Sequence, residues 1–422
     1  MNVHTEIPYQ TYTNPEIYKT ELERFFYTGH WCYVGLACEI PNVGDFKRTT
    51  IGERSVIVSR IAMGKNSSAD SASFAVVENR CAHRGVAFCV ETHGNQKQFT
   101  CPYHQWRYDL SGNLLGLPFR GGVRREITID GKIEKVTQGG MPTDFDLKQN
   151  GLTQLRVHHH NGVIFASFDA NVEPFETYLG TLLPWFERCF SGKPLTLLGY
   201  SRQRIPGNWK LMQENIKDPY HPGLLHTWFN TFGLWRADQK SMMKMDAHHR
   251  HAAMISQKNA AAAQDASVTQ NVSSFKAHMT LNDANVLDVV PEDWWAGNSA
   301  CMMTVFPNLI CQHNVNSVST RQIVPVGVGA FDFVWTHFGF ADDTPDMTRR
   351  RLRQANLFGP AGYVSADDGE VIELSQHGFR HRDDATTKIA LDGAGVADTP
   401  HMVTETLIRG MYSYYRKVMG EP

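Results

Sequence analysis

The sequence has little net charge. Its 41 lysines and arginines nearly balance 43 aspartates and glutamates, giving a formal net charge of −2 over 422 residues. No field of one sign is left to gather nucleic acid or an anionic membrane surface. Long apolar runs are also missing, and no stretch approaches the length needed to span a bilayer. The opening, Met1-Asn2-Val3-His4-Thr5-Glu6, has neither a basic nor an apolar segment, so no secretory signal is expected. Cysteine is sparse, and the eight residues are too scattered for a disulfide framework. Cys32, Cys38, Cys89, Cys189, Cys301 and Cys311 read as reduced, mostly buried thiols. No Gly-x-Gly-x-x-Gly run follows a strand, which argues against a nicotinamide or flavin site in this chain. These absences describe a soluble, cytoplasmic protein, and the length allows two or three domains.

What is present centres on Cys81-Ala82-His83-Arg84-Gly85 and Cys101-Pro102-Tyr103-His104. These two mixed Cys/His pairs are separated by 17 residues. Two thiolates and two imidazoles suit a Rieske [2Fe–2S] centre, with Cys81 and Cys101 on one iron and His83 and His104 on the other. The competing reading is a structural zinc knuckle. Zinc sites usually draw their ligands from Cys-x(2–4)-Cys and His-x(3–5)-His, not from two mixed pairs.

Around this motif the chain reads as β-rich from 36 to 168. Val56–Val58 and Phe74–Val77 are strand-like, and Ser111-Gly112 and Asn161-Gly162 mark hairpins. Gly121–Gly140 reads as a surface insertion. His158-His159-His160 alternate across a strand, so the three cannot converge on one ion, and a solvated hairpin edge is expected. Asn14-Pro15 opens a helix whose apolar face carries Tyr18, Leu22, Phe25 and Phe26. Phe175, Tyr178, Leu182 and Phe186 have helical spacing, interrupted by Pro184. Gln257–Ser274 reads as a mobile loop. Met302–Phe306, Leu309–Val315, Ser317–Val324 and Phe331–Phe340 predict an antiparallel sheet. Helices are expected over Thr348–Leu357 and Thr404–Lys417. The fold class is α+β. A β-rich cluster domain (36–168) accompanies a larger domain (1–35 and 169–422) with an antiparallel sheet surrounded by helices.

A second metal signal lies in Asp218-Pro219-Tyr220-His221-Pro222-Gly223-Leu224-Leu225-His226. On a regular helix the two imidazoles would point about 140° apart. Pro219 and Pro222 predict a kink between them, on the helix that also carries Glu214 and Asn215. Two histidines need one carboxylate to make the facial triad of a non-haem Fe(II) oxygenase. Asp367, Asp368 and Glu370 are all candidates, and spacing does not choose among them. The alternative is that these acids only favour a helix N-terminus capped by Ser365. Asp218 is expected to accept a hydrogen bond from His221 and orient it. Met212, His313, Asn314, Asn316 and Trp295 are candidates to line a cavity.

These motifs, with Cys-Pro-Tyr-His-x-Trp at 101–106, Asn208-Trp209-Lys210 and Phe358-Gly359-Pro360-Ala361-Gly362, occur in order over nearly the whole chain. It resembles the large (α) subunits of Rieske non-haem iron aromatic-ring-hydroxylating oxygenases. The resemblance implies that Asp368 completes the iron site with His221 and His226, and that Asn215 lies near the iron. It also implies head-to-tail trimers, in which Asp218 joins His104 of one subunit to His221 of the next. Electrons would come from NADH through a separate reductase and ferredoxin, and a small β subunit would complete an α3β3 assembly. Within the family, Asn215–Phe229, Thr231–Asp238 and Val364–Glu370 are most similar to salicylate 5-hydroxylase large subunits. Three-component anthranilate 1,2-dioxygenases come next. Hydroxylation of an ortho-substituted benzoate follows, with salicylate to gentisate in the lead and anthranilate to catechol as the alternative. The rival from another class is a Rieske electron-transfer protein without oxygenase activity.

Overall fold

Seven antiparallel strands organise the larger of two units, which comprises Met1–Tyr33 and Asn171–Pro422. The computed structural model describes residues 5–62, 71–257, 272–273, 275–276 and 278–420. In chain order the strands are β1 (Leu195–Ile205), β2 (Ser241–Met245), β3 (Ala252–Ser256) and β4 (Ala300–Val305), then β5 (Leu309–Asn314), β6 (Ser317–Pro325) and β7 (Phe331–Phe340). Across the sheet they run β1-β7-β6-β5-β4-β3-β2. Side chains alternate between faces along each strand, so register decides which residues share a wall. One row pairs Met243, Met254, Met302, Gln312, Ser319 and His337 in succession. A neighbouring row on the same face pairs Thr304, Ile310, Arg321, Trp335 and Ser201.

Helices hold this sheet in place. The segment Pro15–Glu21 starts as expected, with Asn14 accepting from the amides of Glu16 and Ile17 and proline in the first turn. It continues as a wider turn over Leu22–Phe26, which buries Phe25 against Phe306 and Tyr415 at ring-centroid distances of 5.2 and 5.4 Å. Helices that matter for the site are α1 (Trp209–Asn215), α2 (Pro222–Leu225), α3 (Thr227–Thr231), α4 (Pro345–Phe358), α5 (Ser365–Phe379) and α6 (Thr406–Met419). The helix expected from Thr348 begins three residues earlier, because Thr344 caps it and Pro345 fits its first turn. Between Phe175 and Cys189 the break falls at Gly180, which has φ +51°. Pro184 sits in the first turn of the next helix, where it needs no hydrogen-bond donor. The expected loop over Gln257–Ser274 lies almost wholly outside the described residues. Among the described residues, no helix is long and apolar enough to cross a membrane.

The smaller unit, Val34–Ala170, is built from short sheets. A four-stranded one orders Phe74–Glu78, Arg54–Arg60, Asp45–Ile51 and His93–Asn95, and a three-stranded one orders Phe99–Thr100, Arg107–Tyr108 and Leu114–Gly116. They enclose a core that includes Phe46, Phe88, Phe99, Trp106 and Tyr108. The segment from Gly121 to Gly140 is an exposed hairpin, Val123–Ile129 paired with Lys132–Gln138. The triple histidine differs from the solvated edge expected. His159 is buried and its ring lies 5.0 Å from Phe74, while His158 and His160 share the other face. The cause is pairing of this strand with Val163–Ser167, which turns His159 into the core.

Candidate metal centres and the adjoining cavity

The two cluster loops have the same backbone design. In each, the cysteine N–H donates to the carbonyl five residues on, Cys81 to Val86 and Cys101 to Trp106. The amide four residues on, of Gly85 or Gln105, donates back to the cysteine carbonyl. Closing so tight a loop needs a left-handed residue, and Gly85 and Gln105 have φ +71° and +55°. The loops bury both cysteines and leave His83 exposed and His104 half-buried. The two imidazole rings lie 4.6 Å apart, and His83 stacks on Trp106. Burial and the neighbouring Cys81 push the Cys101 thiol up, so both sulfurs would be thiolates only beside a cation. The Tyr108 hydroxyl lies 3.2 Å from Cys81 Sγ. Sulfurs inside and imidazoles outward fit a [2Fe–2S] group whose two irons have unlike ligands.

In the larger unit, His221 and His226 flank a single turn of helix. Asp218 Oδ1 accepts from the amides of Tyr220 and His221, closing a turn after α1. Pro222 then starts α2, and the chain leaves it at His226 in an extended conformation, φ −88° and ψ 100°. The expected single kinked helix is therefore replaced by three short ones. Asn215 closes α1, and the histidines stand outside it. Two prolines and the Asp218 turn remove the backbone bonds a continuous helix would need. The imidazole rings come to 5.4 Å.

Asp368, in the first turn of α5, meets both rings. Its Oδ1 lies 3.5 Å from His221 Nε2, 3.2 Å from His226 Nε2 and 3.1 Å from Asn215 Nδ2. Ligand atoms of His221, His226 and Asp368 all lie within 4.8 Å of one another. The other two acids are elsewhere. Asp367 Oδ2 sits 3.2 Å from His226 Nδ1, on the outer side of that ring, and Glu370 is exposed. Ser365 is the first residue of α5 and not its cap, and its hydroxyl has no hydrogen-bond partner among the described residues.

Asp218 acts differently from the expectation. Its carboxylate is 3.7 Å from His221 Nδ1, too far for a hydrogen bond, whereas its backbone carbonyl is at 2.8 Å. The carboxylate is occupied in holding the turn, and the carbonyl orients the ring. Both histidines thus have Nδ1 engaged from outside, which leaves each Nε2 facing inward. Burial alone would lower the His221 pKa, but Asp218 and Asp368 override it and push it up to about 10. Burial would raise the Asp368 carboxyl, yet the two histidines hold it well below the usual carboxylate range. Such a site draws positive charge. Two imidazoles and one carboxylate beside open space suit a ferrous ion.

That open space is a cavity that His221, His226 and Asp368 help to line. Phe229, Leu234, Trp235, Met243 and Met302 supply an apolar lining, and Asn215, Asn314 and Arg321 supply polar groups. Of the five lining candidates named from the sequence, only Asn314 reaches the cavity. Met212 is core, and His313 points to the opposite face of the sheet, where Trp294 and Trp295 lie 4.5 and 5.2 Å away. Asn316 is tied to Val290 and Gln354. Sequence reasoning missed Arg321. Its signal was a lone cation in the middle of a buried strand.

Comparison with known proteins adds a name to each unit. Residues 30–126 match the Rieske [2Fe–2S] domain, and residues 193–421 match the catalytic domain of the ring hydroxylating alpha subunit. The chain is 61% identical over 418 residues to the salicylate 5-hydroxylase large oxygenase component of Ralstonia sp., covering 99% of this chain and 95% of the relative. It is 40% identical to the anthranilate 1,2-dioxygenase large subunit of Burkholderia cepacia, over 99% and 94% of the two chains. Naphthalene 1,2-dioxygenase from Rhodococcus sp. shares the fold, with TM-score 0.76, 19% identity and coverage of 98% and 94%.

Proposed function

This chain belongs to the ring-hydroxylating oxygenase α-subunit family, and from that premise we propose that it is the large component of a salicylate 5-hydroxylase. The reaction is hydroxylation of an ortho-substituted benzoate by O2, with gentisate as the product from salicylate. One observation carries the choice of substrate, the 61% identity over almost the full chain to the Ralstonia salicylate enzyme component. Anthranilate 1,2-dioxygenation to catechol is the second reading, favoured by the 40% relative. Family membership sets aside a bare Rieske electron carrier.

In this reading Cys81, His83, Cys101 and His104 hold the cluster within 36–168. His221, His226 and Asp368 hold the mononuclear iron in the catalytic domain formed by 1–35 and 169–422. When bound, the cluster supplies electrons one at a time, and the ferrous ion supplies the open positions at which O2 is reduced. The chain's own side chains prepare that site. Asn215 donates to Asp368 Oδ1 and fixes the carboxylate, while the Asp218 carbonyl and Asp367 fix the two rings. Phe229, Trp235 and the methionine row exclude water from the substrate. Asp218 Oδ1 is committed to its turn, and its Oδ2 forms no hydrogen bond with a described residue. That oxygen is free to meet His104 of a neighbouring subunit in a head-to-tail trimer. NADH electrons reach the oxygenase through a reductase and a ferredoxin. A small β subunit completes the α3β3 assembly, and the system works in the cytoplasm.

The test is product analysis of the oxygenase reconstituted with reductase, ferredoxin and NADH, given salicylate and anthranilate separately. Gentisate from salicylate is expected. Catechol from anthranilate with no gentisate would replace the lead by the alternative.

A further inference from the structure

Three sulfurs gather on the face of the large sheet opposite the cavity. Cys301 on β4 pairs with His313 on β5, and Cys311 lies two residues before His313, on the same face. Cys189 ends the helix Leu183–Cys189, and its Sγ lies 3.8 Å from Cys301 Sγ. All three cysteines are buried and free.

Touching thiols in a core are ordinarily inert packing. Arg188 sets this pair apart. Its Nη2 donates to the carbonyls of Trp295 and Asn298 at 2.7 and 2.8 Å, and its Nη1 lies 3.3 Å from His313 Nδ1. Its Nε is buried without a hydrogen-bond acceptor of its own among the described residues, and an anionic sulfur would supply one. The Arg188 side chain is half-buried, so the pair is not sealed off by apolar groups on every side. The Cys189 thiol and the Arg188 guanidinium hold the Cys301 thiol below its ordinary range, against the effect of burial. The Cys189 thiol is pushed up by its contact with Cys301 and by burial. The two sulfurs are thus unlike, with Cys301 the better nucleophile and Cys189 the proton holder beside it.

We propose that Cys301 and Cys189 are a peroxide-responsive dithiol, a modification site that closes to a disulfide behind the cavity wall. The Cys301 thiolate attacks one oxygen of hydrogen peroxide and the O–O bond breaks, leaving a sulfenic acid on Cys301. The departing hydroxide takes the Cys189 proton and becomes water. The Cys189 thiolate then attacks the Cys301 sulfur and the S–O bond breaks. The second hydroxide leaves and takes from solvent the proton that Cys301 had released. Two thiols and one peroxide become one disulfide and two waters, with two electrons passing from sulfur to oxygen. Ala300 and Met302, the neighbours of Cys301 on β4, line the cavity on the other face. A disulfide brings the sulfurs to about 2.0 Å, which draws β4 toward the helix and shifts that part of the wall. An oxygenase so built is slowed by the two-electron reduction product of its own co-substrate. The inference is independent of the choice between salicylate and anthranilate.

The experiment treats the assembled, cluster-loaded oxygenase with equimolar hydrogen peroxide, then unfolds and alkylates it and maps its thiols by mass spectrometry without reduction. Peptides carrying Cys189 and Cys301 should appear joined and two hydrogens lighter, with Cys32, Cys38, Cys89 and Cys311 alkylated and the visible cluster absorption retained. Turnover of the aromatic acid should fall in step with the joined fraction and return with dithiothreitol. Cys189→Ala should stop at a sulfenic acid on Cys301 that dimedone traps. Cys301→Ala should keep its basal turnover and lose the reversible inhibition. Arg188→Met should slow the joining about tenfold, the thiolate lost for one unit of pKa. Where a variant fails to load its cluster, the wild-type map decides. Bleaching of the cluster while Cys189 and Cys301 still alkylate refutes the site, and so does a crosslink through any other pair. Full joining with unchanged turnover refutes its link to the cavity.

Discussion

Asp367 and Asp368 are adjacent in sequence and opposite in their expected effects. The structure puts Asp368 Oδ1 inside, within 3.5 Å of both histidine Nε2 atoms, and Asp367 Oδ2 outside, 3.2 Å from His226 Nδ1. Asp368→Asn removes one of the three proposed iron ligands together with the charge that draws the cation. Asp367→Asn leaves all three ligands and weakens only the grip on His226. Losing such an outer partner typically costs about 10- to 100-fold in metal affinity. The Asp367 side chain is 38% exposed, and water takes over part of its role, so the loss should lie near tenfold, about 1.4 kcal/mol. Iron per chain and Fe(II) competition against a chromophoric chelator measure this, with the cluster's visible absorption reporting that the smaller unit is intact. Asp368→Asn should hold one iron fewer per chain with an unchanged cluster spectrum. Asp367→Asn should retain that iron and yield it at roughly tenfold lower chelator concentration. Equal iron loss in both variants would refute the division of labour between these carboxylates, and so would wild-type affinity in Asp367→Asn.

Other outcomes follow from packing and protonation. A Cβ on Gly223 would fall 2.0 Å from the Trp235 ring, which lines the cavity and donates to the Pro219 carbonyl. Gly223→Ala should therefore displace Trp235 and the turn carrying His221, lowering iron retention and kcat together while the cluster absorption is unchanged. Arg351→Met strands Glu292 and Asp343 and should cost about 3–5 kcal/mol, seen as a lower temperature of irreversible inactivation. Burial holds the His30 pKa down at about 4, against about 6.5 when unfolded. Between these values the unfolded chain binds more protons, so stability falls as pH drops through that window, by roughly 3 kcal/mol for this residue. Urea midpoints at pH 7 and 5 should differ less in His30→Gln than in wild type.

How much of this was legible beforehand depended on how local each feature is. The cluster loops repeat a pattern that closes within six residues, and the Asn14-Pro15 helix start needs only its own cap and proline. Four strands of the large sheet were visible as apolar runs. Edge strand β1 was not, because exposed Tyr200, Arg202 and Arg204 alternate with Ser201 and Gln203, which are polar and only partly buried. The region of His221 was read as a kinked helix because the prolines were visible, whereas the amides capped by Asp218 were not. Among three acids within four residues, only the orientation of α5 distinguishes the inward Asp368 from the outward Asp367 and the exposed Glu370.

The cavity wall was the least legible part, and register explains why. Met243, Met302, Asn314 and Arg321 come from four strands, and each reaches the cavity only because of its parity on its own strand. A shift of one residue would send Arg321 to the opposite face and bring Thr320 or Gln322 in its place. His313, one position from Asn314, illustrates that displacement, since it faces Trp294 and not the cavity. The groups that define the chemistry sit on short contiguous segments, so relatives with different substrates can keep them unchanged. The groups that line the cavity are dispersed over the sheet and can vary one at a time without disturbing His221, His226 or Asp368. Specificity among such oxygenases should therefore be exchanged most readily at strand positions sharing the face of Arg321.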